Sequence, residues 1–179
     1  MRNFISEDDI EQAILQKLEG DPFQYGILRC DPSPDKRELL PDGTGRSSKK
    51  ECVLPLILRE ALARLNPDIP GEKLEEIARD LCRDFSATDM TATNYKYYNQ
   101  IRNGIKISLR RNGKEDFDFV KLVDFDRPEN NTFTAVSQMW IQGRVYWRRP
   151  DVLIFINGLP MVFVELKNSI VNYESLTAN

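Results

Sequence analysis

Apolar positions recur along the chain with two different periods. Near the start, Ile10, Ile14, Leu15 and Leu18 fall on one arc at roughly 100° per residue, which predicts an amphipathic helix over about 6–19. Ser6 is placed to N-cap it, Glu7, Asp8 and Asp9 suit the positive end of the helix dipole, and Ile5 with Ile10 has the spacing of a hydrophobic staple. Glu11 falls inside the apolar arc, where a carboxylate needs a partner. Two more amphipathic helices are expected over about 51–65 and 72–85, separated by the breaker run Asn66 to Gly71, and a third over about 93–103, ending near Gly104. The third carries Tyr95, Tyr97 and Tyr98, read as packing rather than base stacking.

Period-two runs follow the helices. Residues 105–109, 117–125 and 132–141 read as strands, with Arg111 to Lys114 as a turn, and 24–29 as a short earlier strand. Between Asp21 and Lys50 turn residues dominate; Gly43 to Lys50 does not have the spacing of a phosphate-binding loop, so no nucleotide site is assigned there. The alternation predicts an α/β (α+β) chain with a mixed central sheet flanked by helices and a helical insertion over about 51–103.

The densest signal lies in Arg148-Arg149-Pro150-Asp151 and the two apolar runs after it, which flank Asn157-Gly158 and end in Glu165-Leu166-Lys167. This is a hairpin with acids near both open ends. Glu165 and Lys167 share a face, since side chains two apart in a strand point the same way. A regular two-residue turn at Asn157-Gly158 would set Asp151 opposite Val164 and separate the carboxylates. An odd loop, or a bulge that adds one residue, would set Asp151 opposite Glu165, with Cβ atoms roughly 5 Å apart. The expected arrangement is the odd loop or bulge. It suits Mg²⁺, a hard cation usually held by one or two carboxylates with water and phosphate filling the other positions. Asp151, Glu165 and the Leu166 main-chain carbonyl would be its protein ligands, and Lys167 would stabilise charge growing on a phosphodiester or orient the attacking water.

Composition narrows the chemistry. The chain's 179 residues contain no histidine, which removes Ser-His and Cys-His catalysis and most zinc sites. Cys30, Cys52 and Cys82 are scattered and read as reduced packing residues of a cytoplasmic protein, and no long apolar run predicts a membrane span. The net charge of −3 does not suit a free-standing DNA binder. Of the basic pairs only Arg148-Arg149 flanks the hairpin site, and these two are the candidate DNA contacts.

The pattern Pro150-Asp151 followed by Glu165-x-Lys167 resembles the PD-(D/E)xK nuclease core. The longer text from Arg148 to Asn168, with Val123 to Asn131, Phe133 and Gln138 upstream, resembles the restriction (R) subunit of type I restriction-modification enzymes. The resemblance spans most of the chain. It implies a single restriction-endonuclease-like nuclease domain over 1–179, the N-terminal piece of a longer subunit with ATP-driven motor domains, ATP not being bound by this piece. It further implies double-stranded DNA as substrate and methyltransferase and specificity subunits as partners. The first helix of related nucleases supplies an auxiliary acid, for which Glu11 is the first candidate and Glu7 and Glu60 the alternatives. A helix starting near Val171 without a stop signal before Asn179 fits a fragment of a longer chain. The competing expectations are a non-catalytic module that docks subunits, and a DNA-binding module with a degenerate site.

Overall fold

The structure is a computed structural model that describes residues 6–83, 89–111 and 114–167. The expected staple residue Ile5, the end of the 72–85 helix beyond 83, the centre of the 111–114 turn and the segment after Lys167 lie outside the described residues.

Helix α1 (Glu7–Glu19) begins where its capping chemistry requires: the Ser6 hydroxyl accepts from the Asp9 N–H, and the Asp9 carboxylate accepts from the Ser6 N–H. The central sheet is mixed, with strand order β1 (Gly26–Arg29), β4 (Phe133–Ser137), β7 (Val152–Ile156), β8 (Leu159–Val164). β1 runs parallel to β4, and β4, β7 and β8 pair antiparallel. Strand alternation divides its core in two. Ala135 and Val152 pack with Leu15 of α1 on one face, while Val136, Leu153 and Phe155 pack with Leu54 and Met139 on the other. This is the mixed sheet flanked by helices that the sequence predicts.

The insertion is built as its own layer. Helices α2 (Pro55–Leu65), α3 (Gly71–Leu81) and α4 (Met90–Asn103) lead into a separate two-stranded ribbon, β2 (Ile105–Arg111) and β3 (Lys114–Val120). The expectation that these two strands open the central sheet is therefore corrected. Ile105, Ile107 and Leu109 pack on the core formed by Leu58, Leu62, Leu74 and Ile77, so the ribbon's apolar face is used against helices. The strand expected over 117–125 stops at Val120, because the Asn66 side chain accepts from the Lys121 N–H and donates to its carbonyl, replacing a ladder partner. The strand expected over 132–141 is also broken: β4 ends at Ser137, and a short hairpin of β5 (Ile141–Gln142) and β6 (Trp147–Arg148) follows.

The polar loop before α2 is held by a buried ion cluster. Asp42 accepts from Arg46 at 2.6 Å and Lys49 at 2.7 Å, all three side chains being nearly inaccessible. Burial alone would raise the Asp42 carboxyl, but the hydrogen bonds from Lys49 and Thr44 and the Arg46 charge hold it well below the usual carboxylate range. Arg46 also donates to the carbonyls of Glu51 and Trp140, tying this loop to the chain just past β4. The glycine-rich segment that fails as a phosphate loop is thus a structural staple.

Candidate active site

The hairpin reaches the expected carboxylate register by combining both turn solutions. Asn157 and Gly158 have φ of 52° and 80° and form a two-residue turn, with Ile156 opposite Leu159. After Phe155↔Pro160 the next pair is Ile154↔Val162, so Met161 is an extra, unpaired residue. Pro160 has no N–H for the ladder, and β8 is an edge strand of the described sheet, a setting in which a bulge is tolerated. The ladder then runs to Val152↔Val164, and one step further sets Asp151 opposite Glu165. The Leu166 N–H closes this end by donating to Asp151 Oδ2 at 2.5 Å. It is the main-chain N–H of Leu166 that reaches Asp151.

Lys167 Nζ donates to Glu165 Oε1 at 3.0 Å, and the side chains remain 73% and 45% exposed. That hydrogen bond and the Glu165 charge, with smaller contributions from Glu7 and Asp151, raise the Lys167 ammonium above its ordinary value. Lys167 is therefore a fixed cation at neutral pH, suited to stabilising anionic charge rather than to taking a proton.

A third group joins Asp151 from the end of β4. Gln138 has φ of 56°, and its N–H donates to the Asp151 carbonyl at 3.0 Å. Its Nε2 makes a very short hydrogen bond to Glu11 Oε2 and lies 3.5 Å from Asp151 Oδ1. One amide therefore spans two carboxylates. The reverse orientation would set Oε1 against both, so the amide direction follows from the charges. Oε1 itself is buried and has no hydrogen-bond partner among the described residues. Glu11 is 5% exposed beside Leu15 on the sheet side of α1. Burial pushes its carboxyl up and the neighbouring Asp151 charge adds to this, while the Gln138 amide and Arg149 oppose it.

Glu11→Gln should consequently raise the unfolding temperature of the protein at pH 7. A carboxyl whose folded pKa is raised is penalised once ionised; the penalty grows as pH rises above the ordinary Glu value and is absent below it. The gain measured by thermal unfolding should therefore vanish near pH 4, about the unfolded Glu pKa. A destabilised variant at pH 7 would contradict this.

The other candidates are placed as follows. Glu7 lies near enough to Lys167 to influence its charge. Glu60 is exposed on α2, a helix whose first turn docks on the Gly158 end of the hairpin, away from Asp151. Arg149 stacks over Trp140 at 5.1 Å and donates to the Pro32 carbonyl at 2.5 Å, and Arg148 lies over Tyr146 at 5.7 Å. Gln138 has no assigned role in the sequence reading. Its left-handed backbone carries no sequence signature, since glutamine is not a residue that marks such a position.

The donor set fits a hard divalent cation in type: carboxylates, with a lysine adjacent. Among the described residues no three acidic, histidine or cysteine side chains form a group close enough to hold an ion. Among the described residues no helix is long and apolar enough to cross a membrane.

Comparison with known proteins covers nearly the whole chain. Residues 4–177 match the family described as type I restriction enzyme R protein N terminus. The chain is 33% identical over 165 residues to the type I restriction enzyme HindI endonuclease subunit of Haemophilus influenzae, covering 92% of this chain and 15% of that protein. It is 28% identical over 167 residues to the putative type I restriction enzyme MjaIXP endonuclease subunit of Methanocaldococcus jannaschii, covering 89% of this chain and 15% of that protein. The chain thus spans about 15% of the length of these curated relatives. With a match to the family's model over nearly its full length and a relative sharing a third of its residues over 92% of the chain, this chain belongs to the type I restriction enzyme R protein N-terminus family.

Proposed function

We propose that this chain is the nuclease domain of a type I restriction subunit and hydrolyses phosphodiester bonds of double-stranded DNA with Mg²⁺. The observation that carries the proposal is the Met161 bulge, which sets Asp151 opposite Glu165 at the open end of the hairpin. In this reading Asp151 and Glu165 hold the ion, with the Leu166 carbonyl as a further oxygen, and Glu11 contributes as an auxiliary acid bridged to Asp151 by Gln138. Bound there, Mg²⁺ would polarise the scissile phosphate and lower the pKa of water at its side. Lys167, held protonated by Glu165, stabilises the extra negative charge of the transition state. Leu166 keeps Asp151 oriented by its N–H, and Arg149 stays beside the acids, fixed by Trp140 and Pro32.

ATP and its motor belong in this reading to the rest of the longer polypeptide, and methyltransferase and specificity subunits to its partners. Those partners would supply the DNA affinity that a net charge of −3 does not. A docking role within the same complex is favoured by one feature: the β2–β3 ribbon exposes Phe117 and Phe119, and α4 exposes Tyr95 and Tyr98.

Calorimetric titration of Mg²⁺ or Mn²⁺ tests the metal assignment. Binding to the wild type, and its loss in both Asp151→Ala and Glu165→Ala, is the expected result. Binding that survives both substitutions would refute the assigned ligand pair.

A further inference from the structure

We propose that the β5–β6 hairpin is a duplex-contacting arm, with Arg144, Tyr146 and Arg148 meeting the sugar-phosphate backbone beside the candidate active site. The inference rests on the nuclease reading for its location but has its own observations.

The arm rises directly from the site. Its two feet are Gln138 and Asp151, joined by the Gln138 N–H to Asp151 carbonyl hydrogen bond at 3.0 Å. Above them the base is braced. Arg46 holds the Trp140 carbonyl at 3.1 Å, the Gln142 N–H donates to the Lys49 carbonyl at 2.9 Å, and Trp140 meets Trp147 edge-on with centroids 6.4 Å apart. Arg46 and Lys49 both pair with Asp42 and are nearly inaccessible, so they belong to the brace and are not offered to a partner.

The tip is built differently. The Gly143 N–H donates to the Tyr146 carbonyl at 3.0 Å, a turn that leaves Val145 73% and Tyr146 67% exposed. Arg148 lies over the Tyr146 ring at 5.7 Å, forming a flat cationic and aromatic surface. Between Glu129 and Asp151 the chain carries Arg144, Arg148 and Arg149 and no acidic residue, in a protein whose net charge is −3. A local excess of arginine beside exposed aromatic surface, against an acidic background, matches a polyanion.

An acidic protein segment would share that charge. Position favours DNA. The six residue steps from Asp151 back to Val145 span at most about 22 Å, less than one turn of B-DNA at roughly 34 Å. A phosphodiester held at Asp151 therefore carries its own flanking backbone past the arm. Trp140 and Arg149, on the two segments that join arm and site, lie against each other with the guanidinium 5.1 Å from the ring centroid.

The test places the photocrosslinker p-benzoylphenylalanine at Val145 of the full-length polypeptide and irradiates it with labelled duplex DNA. A protein–DNA adduct is expected with the arm's arginines intact. The Arg144→Ala/Arg148→Ala variant should show a shallower salt dependence. Between about 50 and 200 mM salt its adduct yield should fall about tenfold less than the wild type's, the effect of losing two phosphate contacts. Adducts with protein in place of DNA, or a salt dependence unchanged by the two arginine substitutions, would overturn the arm. Adduct formation in a polypeptide that fails to cleave with Mg²⁺ would leave the arm standing and remove the nuclease reading; cleavage without adduct would do the reverse.

Discussion

Lys167→Ala in the full-length polypeptide should lower Mg²⁺-dependent duplex cleavage by about 10²–10³-fold, the usual effect of removing one preorganised electrostatic contact to a transition state. The same change should leave the unfolding midpoint essentially unmoved, because Lys167 is 73% exposed and its ion pair with Glu165 is of the surface kind that contributes little. The two readouts together separate a catalytic cation from a structural one. Glu165 raises the Lys167 pKa, so Lys167→Arg keeps the charge but changes its shape, and cleavage should recover only in part. Cleavage by Lys167→Ala at the wild-type rate would mean that the exposed Glu165–Lys167 pair is an ordinary edge ion pair, and the docking alternative would gain. Assembly should be unaffected in either case, and sedimentation of the variant with the proposed methyltransferase and specificity subunits checks that the loss is chemical.

The features readable in the sequence were those with a strong local cause. The Ser6 cap and the acidic first turn of α1 place that helix to within a residue, and the same arc marks Glu11 as a carboxylate on a buried face. The acid-to-acid spacing made the register question decidable between two cases, and the chain takes the bulged one, reached through a two-residue turn and then a bulge. What the local pattern does not contain is the partner of each strand. β2 and β3 have the period of sheet strands, but their apolar face is covered by α2 and α3, so period alone could not assign them to a separate ribbon. Gln138 was out of reach for a related reason. Its role depends on α1 and β7 arriving on either side of one amide, a meeting of residues 11, 138 and 151 that no window of sequence spans.

Asn157-Gly158 shows the same limit with a measurable consequence. The dipeptide reads as an exposed hairpin turn, yet Asn157 is fully buried, donating to the Leu122 carbonyl and Asn131 Oδ1 and accepting from the Thr132 N–H. Gly158 accepts from the Leu54 N–H at 2.8 Å, which seats the first turn of α2 directly on the hairpin. A Cβ on Gly158 would meet the Leu54 carbonyl oxygen at 2.6 Å and the Leu58 nitrogen at 2.8 Å, both main-chain atoms that cannot swing aside. Gly158→Ala should therefore destabilise the chain by about 3–5 kcal/mol. Roughly 1–2 of this comes from the left-handed backbone at φ 80° and the rest from forcing α2 off the turn. Gly43→Ala is the control: its φ of 82° is as unfavourable, but nothing lies within 4 Å of the added Cβ, so only the backbone part, about 1–2 kcal/mol, should appear in urea unfolding. Equal losses for the two variants would mean that α2 yields easily at Gly158. A larger loss at Gly158 makes the turn the joint through which the insertion holds the hairpin, and with it the far end where Asp151 and Glu165 are opposed.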